Sequence, residues 1–425
     1  MNTGSLQLRN SRQEASGSLE STLALVLAGG SGSSLGALAR WEPTPALPFG
    51  GQYRTVDFAL SNAVSSGIRR VAILTQYKAH TLIQHVQQGW QFLRPEIGEL
   101  IEVWPAQQRR NANWYAGTAD AVYQNIDLIE RLTPERVLIL AGDHVYRMDY
   151  RPMLDAHMAA GLGATIGCIE VPLASAAGLG VLATDSAGRV RYFADKPARP
   201  PALEGRPDAA LVSMGIYVFD RDLLIDCLHV DAEDPTSSHD FGHDVLPMLI
   251  RSYGAAAFPF RDARSGRAGY WRDVGTADSF WQANLELLAD APQVDLHDRD
   301  WPICVRLPQR PPARFVGEGR AARSIVASGC WVAGQVEESV LSADCVVEHG
   351  AAVRRSVVLP EAKIGRGCRI TNAVIGAGCV LPDGTIIGEN RQADAMLCQI
   401  TPLGVAVVTR EMLERRGVAP RRNVA

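Results

Sequence analysis

The chain has 425 residues, a formal net charge of −4, and is 47% hydrophobic and 7% aromatic. This near balance of charge gives no electrostatic case for binding nucleic acid or an anionic membrane, and no apolar run is long enough for a membrane span. The length predicts two domains rather than one. Residues 1–20 are polar and lack the apolar core of a signal peptide, so we expect a flexible tail on a cytoplasmic protein.

A glycine-rich turn follows the first strand-like segment. Residues 23–27 are continuously apolar, as in a strand of a parallel sheet that is covered on both faces. The turn contains Gly29, Gly30 and Gly32, whose backbone N–H groups suit a close approach by phosphate. It is neither a Walker A loop, since no Gly-Lys-Ser/Thr follows, nor a dinucleotide fingerprint, since Leu35 occupies the place of the third glycine. A tight turn without a ligand is the alternative.

Strand-like runs alternate with helical patterns up to about residue 288. The strand-like runs are 71–74, 137–140, 164–169 and 216–219, and the helical segments are 57–66, 80–90 and 118–132. This order predicts a largely parallel α/β sheet that binds its ligands at the carboxyl ends of the strands.

The pattern changes after Phe315, where apolar residues recur every six positions. The series is Val340, Val346, Ala352, Val358, Ile364 and Ile370, and after a slip of two residues it resumes with Val374, Val380 and Ile386. This period predicts a parallel β-helix, with a sandwich of short strands as the alternative. Such rods often dock other copies, so we expect an oligomer. Because His349 is the only histidine in the repeat, we assign the repeat to assembly rather than to acyl transfer.

Two carboxylates follow strand-like segments. Asp143 ends the run Val-Leu-Ile-Leu-Ala-Gly-Asp, and Asp273 lies in Tyr-Trp-Arg-Asp-Val-Gly-Thr. Together with substrate phosphates they suffice to hold Mg²⁺, which prefers oxygen ligands, whereas either one alone would suit a cap or a turn. Lys196 follows Asp195 in a proline-stiffened loop and suits a phosphate, with a merely solvated lysine as the alternative.

Two further segments are candidates for ligand contacts. Ser213, Met214 and Gly215 lead into a strand-like run, and Trp114, Tyr115, Gly117 and Thr118 precede a helical one. Thr118 suits a helix cap, while the aromatic rings around it would equally suit a shelf for a base.

Motifs of a known family run from Leu23 to Leu413. Besides the glycine turn they are PFGGQYRTVDFALSNAVSSGIRRVAILTQYKAHTLIQH, WPAQQR, NWYAGTADAVYQN, LAGDHVYRMDY, DKPARPP, SMGIYVFD, SSHDFGHDVLP, YWRDVGT and VVTREML. In these motifs the sequence resembles the ADP-glucose pyrophosphorylase (glucose-1-phosphate adenylyltransferase) family of glycogen and starch synthesis. The resemblance implies an α/β, Rossmann-like nucleotidyltransferase domain of the glycosyltransferase-A-like type over residues 21–300, a linker over 301–318 and a left-handed parallel β-helix over 319–425. It also implies a cytoplasmic tetramer.

The resemblance assigns roles to the residues that match the family. It places Gly29, Gly30, Gly32 and Gly117 at the nucleotide, Gln107 and Tyr115 near the adenine, Asp143 and Asp273 on Mg²⁺, and Asp195, Lys196 and Ser213 on glucose 1-phosphate. The implied reaction joins ATP and glucose 1-phosphate into ADP-glucose and releases pyrophosphate. The sugar phosphate oxygen attacks the α-phosphorus directly, so catalysis consists of positioning and electrostatics.

Two cations of the family pattern are missing. Ser34 and Thr44 stand where the family has an arginine and a lysine, and Glu42 replaces a further arginine. Those cations neutralise the departing pyrophosphate, and losing one such donor costs about 3 to 4 kcal/mol, roughly a hundred- to a thousandfold in rate. The chain is therefore either an enzyme of weakened activity or a catalytically deficient regulatory subunit that joins an intact homologue in a heterotetramer. A different base or sugar is disfavoured by Gln107, Tyr115 and the Ser-Met-Gly segment that begins at Ser213.

Overall fold

The computed structural model describes residues 19–30, 33–40, 42–76, 78–106, 114–262 and 266–415. The predicted polar tail lies outside these ranges except for residues 19 and 20. The described chain forms an α/β domain up to about residue 300 and a β-helix after it. Within these ranges, no helix combines the length and apolar character that crossing a membrane would need.

The α/β domain is built on a mixed sheet. Its strands are β1 (Thr22–Leu27), β2 (Pro48–Phe49), β3 (Tyr53–Arg54), β4 (Arg70–Thr75), β5 (Leu100–Pro105), β6 (Arg136–Ala141), β7 (His144–Tyr146), β8 (Ala164–Pro172), β9 (Val181–Thr184), β10 (Val190–Ala194), β11 (Ala209–Asp220), β12 (Ala256–Pro259) and β13 (Trp271–Asp273). Nine of them form one sheet in the order β10-β9-β11-β6-β1-β4-β5, and β8 and β12 extend it from β11. β1 runs parallel to β4 and β6, with Leu25 paired to Ala72 and Ile139. The parallel strand predicted at residues 23–27 is confirmed.

Helices cover both faces of this sheet. The helices of the described chain are α1 (Thr55–Ser65), α2 (His80–Gly89), α3 (Thr118–Tyr123), α4 (Ile126–Leu132), α5 (Arg151–Ala160), α6 (Arg221–Glu233), α7 (Leu246–Ser252), α8 (Ala277–Glu286), α9 (Arg391–Leu397) and α10 (Arg410–Arg415). Because successive strand residues point to opposite faces, Leu23 and Leu25 join one apolar core while Ala24 and Val26 join another. The first core includes residues of α4, α6 and α7, and the second includes residues of α1, α2 and α5.

The helix predicted over residues 118–132 is divided into α3 and α4. Asn125 lies between them with non-helical backbone angles. Its side-chain Nδ2 donates to Ala121 O at 2.8 Å and to the Tyr115 hydroxyl at 2.9 Å. Such side-chain bonds to the neighbouring backbone compete with helix continuation, which a periodicity argument does not detect.

The C-terminal domain is a β-helix with three faces. Its strands are β14 (Arg314–Phe315), β15 (Arg320–Ala322), β16 (Ile325–Val326), β17 (Trp331–Val332), β18 (Gln335–Glu337), β19 (Val340–Leu341), β20 (Val346–Val347), β21 (Ala352–Arg354), β22 (Val357–Val358), β23 (Lys363–Ile364), β24 (Arg369–Thr371), β25 (Ala373–Ile375), β26 (Val380–Leu381), β27 (Ile386–Ile387), β28 (Gln399–Ile400) and β29 (Ala406–Val408). The faces are β14-β17-β20-β23-β26, β15-β18-β21-β24-β27 and β16-β19-β22-β25-β29-β28, each a parallel sheet except for the antiparallel pair β28–β29. This confirms the predicted left-handed β-helix. Since β14 already pairs with β17, the first coil begins at Arg314, inside the segment expected as a linker.

From Gln335 onward a full coil takes seventeen residues rather than three complete six-residue steps, whereas the pairing Arg320↔Gln335 spans fifteen. The pairing Val340↔Val357↔Val374 sets this repeat. The inward column is therefore Leu341, Val347, Val353, Val358, Ile364, Ile370, Ile375, Leu381 and Ile387, none of them more than 1% exposed. The predicted six-residue series does not stay on this inward column, since its members Val380 and Ile386 are 37% and 43% exposed. The third step of each seventeen-residue coil is five residues long, as from Val353 to Val358 and from Ile370 to Ile375, so a strict six-residue step leaves the column by one position per coil.

One long side of the β-helix packs on the α/β domain. Val357 and Val374 are buried in the same apolar cluster as Phe280 and Trp281 of α8. The indole Nε1 of Trp281 donates to Arg355 O at 2.8 Å. The two domains therefore share a core.

Candidate active site

The glycine turn lies at the carboxyl edge of the parallel strands. The N–H of Ala28 donates to Leu74 O at 2.8 Å, and that of Gly142 donates to Leu27 O at 3.0 Å, so the segments after β1, β4 and β6 meet at one edge. A Cβ on Gly142 would lie 2.9 Å from Leu27 O, so this approach needs glycine. A Cβ on Gly30 would have no neighbouring atom within 4 Å, so there is free space beside this residue of the turn.

Gln76, directly after β4, joins the glycine turn to the loop before α3. Its Nε2 donates to Gly29 O at 3.2 Å, and its Oε1 accepts from the N–H of Tyr115 at 2.8 Å. Both segments are expected at the nucleotide, so Gln76 holds them at a fixed spacing. The sequence did not single out Gln76, although its place directly after an apolar strand was an available signal.

Tyr115 is buried rather than exposed as a shelf. It is 7% exposed, whereas the adjacent Trp114 is 60% exposed. The exposed aromatic face on this loop therefore belongs to Trp114, and an adenine contact by Tyr115 stays a prediction. Gly32 and Gln107 lie outside the described residues, so their roles at the nucleotide also stay predictions.

Gly117 is the N-cap of α3 and touches the loop before α7. A Cβ on Gly117 would lie 2.2 Å from His239 O and 2.5 Å from Ser238 O, both backbone atoms. The hydroxyl of Thr118 donates to Asp240 Oδ2 at 2.9 Å instead of capping its own helix. Gly117 is thus required for packing, and its contact with the nucleotide stays a prediction.

Asp143 and Asp273 come together at the edge of the sheet. β13 pairs antiparallel with β7 so that Asp273 lies opposite His144, and the N–H of Val274 donates to Asp143 O at 3.4 Å. Burial raises the pKa of Asp143; the nearby His144 lowers it and Asp273 raises it. Two neighbouring carboxylates fit a cation, whose charge would favour their ionised forms. No cluster of three metal-ligating side chains occurs within the described part of the chain, so the remaining ligands would be substrate oxygens or water.

The backbone N–H groups of Lys196 and Ser213 donate hydrogen bonds to two consecutive residues, Leu179 and Gly180. The N–H of Lys196 donates to Leu179 O at 3.1 Å, and that of Ser213 donates to Gly180 O at 2.8 Å. Lys196 has a positive φ of 45°, and its side chain is 65% exposed with Nζ 3.6 Å from Asp195 Oδ2. The three residues predicted for the sugar phosphate therefore lie together, with an exposed ammonium group.

The segment after Ser213 connects this sugar-phosphate end to the carboxylates. Met214 O lies 3.0 Å from Nδ1 of His144, next in sequence to Asp143. Gly215 has a positive φ of 65°, and a Cβ there would lie 3.0 Å from Cε1 of His144. The ring of His144 also meets Trp271 edge to face, with centroids 5.0 Å apart. The predicted metal ligands and the predicted sugar-phosphate ligands are thus connected through His144 and Met214.

The loop before α7 adds charged groups that the sequence did not reveal. Asp240 Oδ1 accepts from the N–H of His243 at 3.1 Å, and Nδ1 of His243 lies 2.7 Å from Asp244 Oδ1. Burial raises the pKa of Asp244, but hydrogen bonds from Ser238 and His243 and from the backbone lower it to about 2. The same contact with Asp244 raises the pKa of His243, which is exposed. Proximity to Asp240 and Asp195 contributes to the high pKa of Tyr217, of which burial is the main cause.

The two substituted positions lie on short 3-10 segments that follow the glycine turn. Ser34 lies in the segment Ser33–Ala39, and Thr44 begins the segment Thr44–Ala46. Thr44 is 3% exposed, and its carbonyl accepts from Thr55 Oγ1 at 2.7 Å. A lysine at this position would therefore have to extend its charged end out of a buried site.

Glu42 places a carboxylate between these segments. Nη1 of Arg54 lies 3.6 Å from Glu42 Oε2 and also donates to Ala46 O. Burial raises the pKa of Glu42 and the Arg54 guanidinium lowers it. Arg54, which the sequence did not single out, is thus already engaged with the protein.

Matching family models agree with the architecture and the site. A glycine turn, paired carboxylates and a lysine on one edge of a Rossmann-like sheet, followed by a β-helix, define a nucleotidyltransferase with a hexapeptide-repeat domain. The model described as Nucleotidyl transferase matches residues 23–290. The model described as GlmU-like, C-terminal hexapeptide, matches residues 311–408.

Curated relatives cover nearly the whole chain. The glucose-1-phosphate adenylyltransferase of Methylococcus capsulatus is 50% identical over 401 residues, which is 93% of this chain and 95% of the relative. Glucose-1-phosphate adenylyltransferase 2 of Alkalilimnicola ehrlichii is 51% identical over 92% of this chain and 94% of its own. The glucose-1-phosphate adenylyltransferase of Hydrogenovibrio crunogenus is 49% identical over 93% and 95%. The chain belongs to the glucose-1-phosphate adenylyltransferase family.

Proposed function

We propose that this chain transfers the adenylyl group of ATP to glucose 1-phosphate, producing ADP-glucose and pyrophosphate for glycogen synthesis. The observation that carries the proposal is the end-to-end similarity to glucose-1-phosphate adenylyltransferases at about half identity. The convergence of the glycine turn, Asp143, Asp273 and Lys196 on one edge of the sheet supports it.

We assign the two substrates to two neighbouring groups of residues. The glycine turn and the loop of Tyr115, joined by Gln76, would hold ATP. Lys196 would neutralise the phosphate of glucose 1-phosphate and present its oxygen to the α-phosphorus. The direct displacement needs no protein nucleophile, so the work of the side chains is to align the reactants and to stabilise charge.

Asp143 and Asp273 would hold a divalent metal, which nucleotidyltransferases generally use. We propose Mg²⁺, because two carboxylates plus phosphate oxygens suit its preference for oxygen ligands. When bound, the ion would neutralise phosphate charge. Asp143 and Asp273 would hold the positive charge of the ion between the bound nucleotide and the bound sugar phosphate.

We further propose that turnover is weakened, since Ser34 and Thr44 leave the departing pyrophosphate without two of the family's cations. Neither the site geometry nor the comparisons favour the alternative of a purely regulatory subunit. For the assembly we propose a cytoplasmic homotetramer, or a heterotetramer where an intact homologue is present.

The test is an assay of the purified chain with ATP, glucose 1-phosphate and Mg²⁺ that quantifies both ADP-glucose and pyrophosphate. The Methylococcus capsulatus relative serves as the reference enzyme, and UTP, CTP and GTP serve as nucleotide controls. We expect ADP-glucose at a rate roughly a hundred- to a thousandfold below the reference. Absence of ADP-glucose from both this chain and its Ser34→Arg, Thr44→Lys variant would overturn the proposal.

A further inference from the structure

The segment that follows the glycine turn is anchored on the C-terminal domain. Leu35 and Ala39 of the 3-10 segment are buried in the apolar cluster that contains Leu359, Val374 and Val405 of the β-helix. The same cluster also contains Phe280 and Trp281 of α8, so the backbone that leaves the turn packs against both domains, whereas the strand that enters the turn lies in the α/β sheet. The position of this segment depends on where the β-helix sits.

Polar contacts strengthen this anchoring at two points. At Gly36, whose φ is +59°, a Cβ would lie 2.9 Å from Oε1 of Gln399, and the N–H of Ala37 donates to that oxygen at 3.5 Å. Four residues beyond Gly36, Nη1 of Arg40 lies 2.7 Å from Oε2 of Glu411 on α10. The ion pair joins the end of the segment to the last helix of the described chain.

The backbone of the sugar-phosphate end is held from within the α/β domain. The hydrogen bonds and the ion pair described above for Lys196 and Ser213 lead to Leu179, Gly180 and Asp195, all within the α/β domain. A change at the domain contact would therefore reach the nucleotide end first.

We propose that the Arg40–Glu411 ion pair positions the glycine turn, so that the β-helix domain tunes the binding of ATP and leaves the binding of glucose 1-phosphate unaffected. This inference rests on the proposed function, because it takes the glycine turn as the ATP site. Arg40 and Glu411 act here as positioning residues, since neither is placed on a substrate.

The test uses the full chain with Arg40→Ala, Glu411→Ala, the double alanine variant and the charge swap Arg40→Glu with Glu411→Arg. A matched control removes the Arg369–Glu389 pair, which lies at 2.8 Å on the outer surface of the β-helix. Calorimetry measures Mg²⁺-ATP binding, initial rates give the KM of each substrate, and thermal melting checks the fold.

We expect each single variant to weaken ATP binding about two- to fivefold, the range for a partly exposed ion pair, with the KM for glucose 1-phosphate unchanged. The double variant should be no weaker than the singles, because the two residues act as one unit, and the charge swap should recover binding. Unchanged ATP binding, or equal loss for both substrates together with a lower melting temperature, would overturn the proposal. If ATP binding responds as expected but no ADP-glucose forms, the proposed function fails and the positioning role stands.

Discussion

The side-chain amide of Gln76 donates to the carbonyl of Gly29 at 3.2 Å, and its oxygen accepts from the next segment of the nucleotide end, at Tyr115. One side chain thus links two loops that are far apart in the sequence. Each hydrogen bond of this kind contributes about 1 kcal/mol.

Gln76→Ala should therefore raise the KM for ATP roughly five- to thirtyfold, because both loops lose their common partner. The KM for glucose 1-phosphate should change little. Initial-rate kinetics with each substrate varied in turn measure this split. Gln84→Ala, on the exposed side of α2, is the matched control and should behave as the wild type. An equal rise of both KM values would contradict a role confined to the nucleotide.

Restoring the two missing cations should restore turnover. Ser34→Arg together with Thr44→Lys should raise kcat about a hundred- to a thousandfold, with less gain from either change alone because such residues act as a unit. Steady-state kcat is the measurement. A control that adds the same charges at the exposed residues Gln87 and Gln392 should leave kcat unchanged. No gain in the double variant would locate the deficit elsewhere, for example at Glu42.

Removing a carboxylate of the proposed metal site should abolish most activity. Asp143→Asn and Asp273→Asn should each lower kcat/KM by at least about a hundredfold and raise the Mg²⁺ concentration needed for half-maximal rate. Chelation by EDTA should stop the wild type, and added Mg²⁺ should restart it. Asp290→Asn, at an exposed position, serves as the control. Full activity of either Asp variant would remove that residue from the site.

Gly117 and Gly30 should respond differently to alanine. At Gly117 the new Cβ would lie 2.2 Å from a backbone oxygen, so Gly117→Ala should destabilise the chain by about 3 kcal/mol. At Gly30 the Cβ meets nothing within 4 Å, so Gly30→Ala should keep the melting temperature and weaken ATP binding, because the methyl group would occupy the space that phosphate approaches. Denaturant unfolding and calorimetry separate these effects. A stable Gly117→Ala variant would contradict the packing role.

The difference in unfolding free energy between the wild type and Asp244→Asn should be largest between about pH 4 and 6.5, because of the His243–Asp244 pair. Asp244→Asn should cost about 2 kcal/mol there, since Asp244 accepts hydrogen bonds from Ser238 and His243. The folded pKa of Asp244 is about 2, below its usual 3.8, so its contribution is lost as the pH falls from 3.8 toward 2.

For His243 the contribution to stability is lost as the pH rises, the opposite direction from that of Asp244. The folded pKa of His243 is raised above 6.5, so its contribution is present below 6.5 and is lost as the pH rises through the folded value. Urea unfolding of wild type and Asp244→Asn across this range measures the difference. A difference independent of pH would show that the ion pair contributes nothing.

The sequence predicted the larger features well for identifiable reasons. The run at residues 23–27 forms a parallel strand because continuous apolar character suits burial on both faces. Asp143 follows the apolar strand β6, as predicted, whereas its meeting with Asp273 depends on the antiparallel pairing of β13 with β7, which places Asp273 opposite His144. The β-helix was evident from its six-residue period, but that period did not identify the inward column, since coils of seventeen residues are not a multiple of six and Val380 and Ile386 are exposed.

Local pattern by itself thus determined the class of each domain, because strand burial, glycine turns and repeat spacing depend on neighbours close in sequence, and the family resemblance of the motifs assigned the candidate substrate residues. Only the tertiary structure decided which distant segments meet: Gln76 with Gly29 and Tyr115, and Arg40 with Glu411. These contacts depend on strand register and domain packing across tens to hundreds of residues, and no short-range periodicity encodes them.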